Sequence, residues 1–303
     1  MNEVFDTIQR DSSISFPMLG DFTINPPSSF NILGKDIYFY GVFIGLGFIL
    51  GMLYCSRKSE RFGIKQDDLF DILIWMIPLS IVGARLYFVL FKIDYYILHP
   101  SEIMAVWEGG LAIYGGIIMG IIVITVGCRI KKMPVGAFLD LLTYGLLIGQ
   151  ILGRWGNFMN REAFGAPTEV FCRMGLTSPD GTTIYVHPTF LYESLWNVGV
   201  FIILYLFEKK GRRTWDGQIM TLYFLLYGLG RAWIEGLRTD SLYIGATGIR
   251  VSQALSIALI IGAAVMLCVQ SRKGSAPERL FVNRVRAAQA ENKAAECETK
   301  TEE

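Results

Sequence analysis

The chain has 303 residues, of which 52% are hydrophobic and 18% are charged, and its formal net charge at pH 7 is +1. With a mean hydropathy of +0.41, it is too apolar for an ordinary soluble domain of this length. The small net charge gives no reason to expect nucleic acid as a partner. We therefore expect an integral membrane protein that does not bind nucleic acid.

The first 36 residues are predicted to form an N-terminal arm outside the membrane. No basic stretch leads into an apolar core, so the arm does not have the pattern of a cleavable signal peptide. Four charged residues stand among its apolar positions: Asp6, Arg10, Asp11 and Asp21. The pattern leaves the shape of the arm undetermined.

Seven apolar segments follow, each near the length of about 20 residues that a helix needs to cross a bilayer. They lie at residues 37–54, 69–91, 110–128, 134–153, 188–207, 216–236 and 250–270. The fold class that they predict is an all-α integral membrane protein. Its transmembrane domain would be a bundle of about seven helices over residues 37–270.

Lysine and arginine are concentrated in alternate connections between these segments. The connections after the first, third and fifth segments are rich in them, and so is the tail at 271–303. Since short basic connections stay in the cytoplasm, we expect the N-terminus outside and the C-terminus in the cytoplasm. The connection at 154–187 then faces outward between helices 4 and 5, and it is long enough for a small extracytoplasmic subdomain.

The charged tail is predicted to be a solvated helix or a disordered segment, without a catalytic role. Of the cysteines, only Cys172 is expected to face outward, which excludes an intramolecular disulfide there. The others are predicted at the cytoplasmic side: Cys55, Cys128, Cys268 and Cys297. No Cys or His spacing indicates a metal site, so a reacting thiol would have to come from a substrate.

Glycines recur at four-residue spacing in the first, third and fourth segments, which places small residues on one helix face. This pattern favours close helix packing. The block GGLAIYGG at 109–116 differs, because two glycine pairs flank Tyr114 and its neighbours at the outer end of a helix. Such pairs could expose backbone N–H groups to a phosphate, or they could serve packing alone.

The sixth segment carries ions at membrane depth. Tyr227, Arg231, Glu235 and Arg238 follow helical spacing and share one face. Arg231 and Glu235 could be a structural ion pair, or the arginine could be presented to a phosphate and oriented by the glutamate. The second interpretation is favoured because ionisable groups inside membranes are usually functional.

Arg85 in the second segment and Asp140 in the fourth are two further ions at membrane depth. They could pair with each other or with the cluster on the sixth segment. A purely structural ion pair is at least as good an interpretation for these two residues.

The sequence GRWGNFMNREAFG at 153–165 places several polar groups directly after an apolar run. Gln150, Arg154 and Asn157 follow helical spacing, so Arg154 is expected to face the same cavity as Arg231. Two guanidinium groups could then bind one phosphodiester through paired hydrogen bonds.

The fifth segment opens with HPTFLYE, in which Pro188 suits the start of a helix. His187, Tyr192 and Glu193 fall within its first two turns. A histidine at such a position is more often an interfacial hydrogen-bond donor than a base. Tyr40 lies near the outer interface, where aromatic residues are common.

Four sequence blocks and the segment around Gln253 resemble, in the same order, the bacterial phosphatidylglycerol:prolipoprotein diacylglyceryl transferases. The blocks are GGLAIYGG, GRWGNFMNREAFG, HPTFLYE and YGLGRAWIE, and the resemblance runs from about residue 38 to 268. It implies a seven-helix enzyme of the bacterial cytoplasmic membrane. Its substrates would be phosphatidylglycerol, a membrane lipid, and the lipobox cysteine of a prolipoprotein signal peptide, which becomes a thioether as glycerol phosphate leaves. No cofactor or metal is implied.

The resemblance also implies roles for particular residues. Arg154, Asn157 and Gly165 belong to the phosphate-binding part of the signature, Arg231 and Glu235 to a second essential pair, and Tyr40 to the polar face of the first helix. Further substrate contacts are expected from polar residues of the matching blocks and from two arginines outside them. The block residues are Asn160, Glu162, Tyr192 and Glu193, and the arginines are Arg85 and Arg238.

The chain departs from the family pattern at three positions. Tyr114 stands where many members have a histidine proposed as the base, and phenols are almost fully protonated at neutral pH. The base is therefore open between Tyr114, His187 and Glu235. Arg161 replaces a common glycine and Ala166 a frequent arginine, which affects the expected phosphate contacts but not the fold.

Two other classes of protein share some of these features. A transporter of an anionic lipid or metabolite would also place arginines in a helical bundle, but it usually shows two related halves, which we do not see. A membrane scaffold would explain the glycine pattern but not the polar blocks at outer helix ends. We therefore expect a transferase.

Overall fold

A computed structural model of the chain describes residues 12–20, 22–32, 34–241, 243, 248–274 and 276–301. The charged positions Asp6, Arg10, Asp11 and Asp21 of the predicted arm lie outside the described residues. So does the side chain of Cys297, although its backbone is part of a helix.

Nine α-helices are present in the described part of the chain. In chain order they are α1 (Phe39–Lys58), α2 (Gln66–Phe91), α3 (Ile93–Leu98), α4 (Ile113–Ile130), α5 (Val135–Asn160), α6 (Thr189–Lys209), α7 (Gln218–Leu237), α8 (Val251–Arg272) and α9 (Phe281–Thr301). All but α3 and α9 correspond to the apolar segments of the sequence. The prediction of a helical, multi-pass integral membrane protein is confirmed.

Six of these helices are long and apolar enough to cross a bilayer: α1, α2, α4, α5, α6 and α8. The helix α7 has 20 residues, but Arg231, Glu235 and other polar side chains lower its hydropathy. Seven membrane crossings therefore stay a prediction, because the seventh requires that α7 also spans the membrane.

Most helix ends lie within a few residues of their predicted positions, but the end at residue 153 is wrong. The helix α5 continues to Asn160, so Arg154 and Asn157 are helical and do not belong to the connection predicted at 154–187. Polar side chains end an apolar run here without ending the helix, because Arg154 and Asn157 find partners within the protein.

Two stretches far apart in the sequence form a four-stranded antiparallel sheet. Its strands are β1 (Ser13–Ser15), β2 (Thr23–Ile24), β5 (Met174–Thr177) and β6 (Thr183–Val186), in the order β2-β1-β5-β6. The central pairing sets Ile14 opposite Leu176. A separate hairpin consists of β3 (Ser29–Ile32) and β4 (Lys35–Tyr38), and Gly34 at its turn has a φ of 82°.

The sheet packs on the ends of α5 and α6. Ile14 and Leu176 are fully buried and form one apolar cluster with Phe158 of α5 and Phe190 of α6. Burial of such side chains stabilises a fold by about 1.5–3 kcal/mol each. The arm and the connection after α5 thus share one core beside the signature sequence.

Small residues allow close approach of α1 and α5, as predicted. A Cβ atom on Gly51 would lie 2.8 Å from the carbonyl oxygen of Gly145, and one on Gly47 would lie 3.1 Å from Cα of Gly149. Backbones that approach this closely gain contacts that larger side chains would prevent.

The described chain divides into two compact units. The first comprises residues 12–55, 142–213 and 218–274, and the second comprises 56–141, 214–217 and 276–301. Within the second unit the tail is a helix whose start is anchored, because the N–H of Phe281 donates to the carboxylate of Asp216 at 3.0 Å.

Candidate active site

Three arginines of the first unit converge on one buried carboxylate. Glu193 of α6 is only 4% exposed, and its Oε2 lies 2.7 Å from Nη2 of Arg154 on α5. Its Oε1 contacts Nη1 of Arg231 on α7 and lies 3.7 Å from Nη1 of Arg238. We call Arg154, Arg231 and Arg238 the arginine cluster. The prediction that Arg154 and Arg231 face a common site is confirmed.

Two further carboxylates balance the cluster. Glu235 lies one turn after Arg231 on α7 and forms an ion pair with it at 2.6 Å. Arg238 donates from Nε and Nη2 to Asp240 at 2.9 and 2.7 Å. Against the opposing effect of burial, these hydrogen bonds hold the pKa of Asp240 below its usual value and raise the pKa of Arg238. The contact between Arg231 and Glu235 fits both interpretations of this pair, a structural ion pair and an arginine that is oriented toward a phosphate.

The stability of the arginine cluster depends on whether each of its charges has a partner. Each ion taken out of water costs several kcal/mol, which mutual attraction offsets only when every charge has a partner. Here three guanidinium groups meet three carboxylates, namely those of Glu193, Glu235 and Asp240. Removal of a single carboxylate would leave an uncompensated cation at a buried position.

Arg154 keeps hydrogen-bonding capacity. Its Nη1 donates to Oδ1 of Asn157 at 3.2 Å, and its Nη2 faces Glu193. Within the described residues, its Nε–H has no acceptor. An arginine fork held on one side by protein groups can bind an anion with the donors that remain.

Polar side chains continue from the end of α5 into the next loop. Asn157 and Asn160 both donate to Oε1 of Glu162, at 2.8 and 3.3 Å. The Oδ1 atom of Asn160 is buried and accepts no hydrogen bond from the described residues. A buried acceptor without a donor is a place where a ligand hydroxyl would be favoured.

Gly165 joins three parts of the site through its backbone. Its N–H donates to the carbonyl of His187 at 2.9 Å, and it forms an isolated antiparallel bridge with Arg238. A Cβ atom at this position would lie 2.6 Å from Cβ of His187 and 3.0 Å from the carbonyl oxygen of Leu237. Only glycine allows these segments to meet without displacement.

His187 and Tyr192 are close together at the start of α6. Nδ1 of His187 lies 3.4 Å from the hydroxyl of Tyr192, and Sγ of Cys172 lies 3.2 Å from the same hydroxyl. Burial lowers the pKa of His187 below its usual value, which favours the neutral imidazole.

Tyr40 at the start of α1 packs against the signature helix. A Cβ atom on Gly156 of α5 would lie 2.8 Å from Cδ2 of Tyr40, so the ring covers α5 one residue before Asn157. The phenol is 39% exposed. The position of Tyr40 beside the signature was not predicted, and its substrate contact stays a prediction.

Arg161 has a structural role that the sequence did not indicate. Its φ is 52°, a backbone conformation that favours glycine. The buried guanidinium donates to the carbonyl of Ser12 at 2.9 Å and to Oδ1 of Asn25 at 2.6 Å. It therefore anchors the N-terminal arm to the end of α5.

Arg85 and Tyr114 belong to the second unit. Arg85 donates to the carbonyl oxygens of four residues, Glu102, Ile103, Gly109 and Gly110, at 2.6–3.2 Å. Of the two alternatives, the one in which Arg85 pairs with Asp140 is wrong. These carbonyls occupy Arg85, while Asp140 accepts the N–H of Gly217 at 2.8 Å. Tyr114 is 39% exposed, with its ring 6.5 Å from that of Tyr87.

Two features of the site were missed from the sequence. Asp240 was not predicted, although its position two residues after Arg238 and just past α7 was a usable signal. Glu193 was expected to contact substrate, but its ion pairs with α5 and α7 were not predicted. Among the residues that the structure describes, no group of three His, Cys, Asp or Glu side chains is placed to hold a metal ion.

Comparison with known proteins gives consistent matches. The family model described as prolipoprotein diacylglyceryl transferase matches residues 27–269. Several bacterial relatives carry the name phosphatidylglycerol–prolipoprotein diacylglyceryl transferase. The relative from Finegoldia magna is 46% identical over 245 residues, which cover 81% of this chain and 95% of the relative. Those from Lactobacillus acidophilus and Enterococcus faecalis are 41% and 40% identical, covering 86% and 84% of this chain and 95% and 93% of their own lengths.

Proposed function

The chain belongs to the prolipoprotein diacylglyceryl transferase family, and we propose that it moves the diacylglyceryl group of phosphatidylglycerol to the lipobox cysteine of a prolipoprotein signal peptide. The family assignment made from the sequence blocks is confirmed. The product would be a thioether, with glycerol phosphate as the leaving group. This is the first step of lipoprotein maturation in bacteria.

The observation that carries this proposal is the convergence of the arginine cluster on Glu193 between α5, α6 and α7. Ionisable groups inside a membrane are costly and are usually functional. Guanidinium groups match the geometry of a phosphodiester, because each can donate two parallel hydrogen bonds. Phosphatidylglycerol has one such group between its diacylglyceryl and glycerol parts.

The reaction is a displacement at carbon. The sulfur of the peptide thiolate forms a bond to the terminal glyceryl carbon while the bond from that carbon to the phosphate oxygen breaks. Glycerol phosphate leaves with the electron pair, and negative charge grows on the phosphate. Fixed donors in a water-poor site stabilise such charge by several kcal/mol. A thiolate displacement of this kind requires no cofactor or metal.

Glu193 orients the cluster for this task. It holds Arg154 and Arg231 from opposite carboxylate oxygens, which fixes both forks before substrate arrives and reduces the cost of ordering them. The phosphodiester is bound by the remaining donors, including Nε–H of Arg154. Glu235 and Asp240 keep Arg231 and Arg238 in place.

Asn160 contributes to headgroup recognition. Its buried Oδ1 has no donor among the described residues, and the headgroup of phosphatidylglycerol carries two hydroxyl groups. A hydroxyl that donates to Oδ1 would distinguish this lipid from one with a headgroup that cannot do so. Asn157 and Glu162 set the orientation of the amide.

The site is placed at the outer surface of the bacterial cytoplasmic membrane in this proposal. The N-terminus lies outside and the C-terminus in the cytoplasm, following the distribution of lysine and arginine.

The other predicted site residues keep their expected roles. Contacts with substrate are expected from Tyr40, Arg85, Tyr192 and Gly165. The candidates for the base are Tyr114, His187 and Glu235.

Release of glycerol phosphate from labelled phosphatidylglycerol tests the proposal. Purified protein in detergent should release it only when a lipobox peptide is present, and a peptide with serine in place of the cysteine should give none. Release without peptide would indicate a phospholipase that hydrolyses the bond between the diacylglyceryl group and the phosphate. No release, together with exchange of labelled lipid across reconstituted vesicles, would favour the alternative of an anionic-lipid transporter.

A further inference from the structure

The hydroxyl of Tyr192 lies between a sulfur atom and an imidazole. Sγ of Cys172 is 3.2 Å from this oxygen, and Nδ1 of His187 is 3.4 Å from it on the other side. A phenol can donate one hydrogen bond and accept another. The three side chains therefore form a chain along which a proton can move from sulfur to nitrogen.

Backbone and ring contacts connect these three side chains to the elements that carry the arginine cluster. Tyr192 precedes Glu193 on α6, and its ring stacks on that of Trp233 of α7 with centroids 6.1 Å apart. The carbonyl of His187 accepts the N–H of Gly165, whose backbone in turn pairs with Arg238. The same loop contacts thus fix the imidazole and one guanidinium.

We propose that Tyr192 and His187 are the thiol-activating relay of this enzyme, with the hydroxyl of Tyr192 receiving the proton of the lipobox cysteine and passing its own to Nδ1 of His187. The inference rests on the transferase function proposed above and identifies its base. The sulfur of Cys172 marks a position from which a thiol can donate to the phenol. The substrate sulfur takes an equivalent position when the peptide binds.

The step balances without a further reactant. The S–H proton moves to Oη of Tyr192 as the phenolic proton moves to Nδ1 of His187, which becomes imidazolium. The sulfur forms its bond to the glyceryl carbon as the carbon–oxygen bond to phosphate breaks. The imidazolium then returns its proton through Tyr192 to the departing glycerol phosphate or to water.

The other two candidates for the base have less suitable surroundings. Glu235 is 2% exposed, and its carboxylate is already engaged in an ion pair with Arg231. The hydroxyl of Tyr114 has no hydrogen-bond partner in the described part of the chain that could take its proton. His187 is the group with both a proton path and a free acceptor nitrogen.

Two variants with matched controls test the relay. Tyr192→Phe and His187→Gln should each lower kcat for a cysteine peptide by on the order of 100-fold, the usual contribution of a general base, with little change in KM. Tyr185→Phe on β6 and His99→Gln, the only other histidine of the chain, should retain wild-type kcat. Cys172→Ala should retain it as well, since Cys172 only occupies the position of the substrate sulfur.

A selenocysteine peptide separates a chemical role from a structural one. A selenol is more acidic than a thiol and needs no base at neutral pH, so it should restore turnover in Tyr192→Phe and His187→Gln but not in Arg154→Ala. Wild-type kcat in either relay variant, or a loss that the selenol does not restore, would overturn the relay. A wild-type protein that is inactive with both peptides would instead contradict the proposed transferase function.

Discussion

The carboxylate of Glu193 lies 2.7 Å from the guanidinium of Arg154, and this ion pair joins α6 to α5 at a position where Glu193 is 4% exposed. Because the same carboxylate contacts Arg231 of α7, one side chain holds three helices at the candidate site. Buried charges destabilise a protein unless each of them has a partner of opposite charge. The arrangement therefore favours a catalytic role for these residues over a purely stabilising one.

Glu193 should be essential for the stability of the site. Glu193→Ala leaves buried arginines without their partner and is expected to cost about 3–5 kcal/mol, whereas Glu193→Gln keeps the shape and should cost less. Thermal unfolding in detergent compares the unfolding temperatures of wild type, Glu193→Ala and Glu193→Gln. Glu169→Ala serves as the control, because this carboxylate is exposed and forms only a long surface pair at 3.8 Å. Equal unfolding temperatures for wild type and Glu193→Ala would show that the contact has no structural importance.

Arginine geometry, and not charge alone, should be required at the cluster. Arg154→Ala and Arg231→Ala are expected to abolish transfer while the protein stays folded. Arg231→Lys should remain weak, because an ammonium group cannot donate two parallel hydrogen bonds to a phosphodiester. Steady-state transfer assays on the purified variants check both expectations. Near-normal turnover of either alanine variant would remove that arginine from the mechanism.

Gly165 should not tolerate a side chain. In Gly165→Ala the new Cβ would meet Cβ of His187 at 2.6 Å and the carbonyl of Leu237 at 3.0 Å, and overpacking of this kind costs about 1–3 kcal/mol. We expect lower stability and lower kcat, measured by thermal unfolding and transfer assays. Gly149→Ala in α5 has no atom of another segment within 4 Å of the added carbon, and because alanine favours the helix it should lower neither. A fully active, stable Gly165→Ala protein would refute the close contact.

The side chain of Arg161 should stabilise the protein through its hydrogen bonds, whereas its backbone conformation should destabilise it. Arg161→Gly and Arg161→Ala both remove the hydrogen bonds to Ser12 and Asn25, but only glycine relieves the φ of 52°. The glycine variant should therefore be more stable than the alanine variant by about 1 kcal/mol. Chemical unfolding measures the difference, and proteolysis near residues 12–25 should be faster in both. An alanine variant as stable as the glycine variant would contradict the backbone argument.

Activity and stability should both respond to the protonation of His187. Burial lowers the pKa of this imidazole, so the unfolded chain binds its proton at higher pH than the folded chain does. Stability should fall as pH decreases from about 6.5 toward the lowered pKa, and it should be flat above that window. The transfer rate should fall over the same acid range. In His187→Gln, both pH dependences should disappear; if they persist, another group titrates.

Local patterns in the sequence were sufficient for the helices and for part of the site. Apolar runs located α1 to α8, apart from the short α3, and the four-residue spacing of Arg231 and Glu235 correctly indicated one face of α7. The error at the end of α5 has a simple cause. Hydropathy falls at Arg154, but hydrogen bonds and ion pairs within the protein allow the helix to continue to Asn160.

Local sequence patterns could not predict the contacts between residues that are far apart in the chain. The strands β1 and β5 have three and four residues, too short for an alternating pattern to be distinctive, and about 160 residues separate Ile14 from Leu176. The convergence of Arg154 and Arg231 on Glu193 likewise depends on how three helices pack. Arg161 was noted as a departure from the related signature, but its anchoring role required the position of Asn25.

The most direct test of the central claim is formation of the thioether itself. Wild-type protein, phosphatidylglycerol with labelled acyl chains and a lipobox peptide are incubated in detergent, and the peptide is analysed by mass spectrometry, beside Arg154→Ala and Tyr114→Phe. We predict a labelled diacylglyceryl group on the cysteine sulfur with wild type and with Tyr114→Phe, and none with Arg154→Ala. An unmodified peptide with folded wild type, or equal modification with Arg154→Ala, would contradict the account.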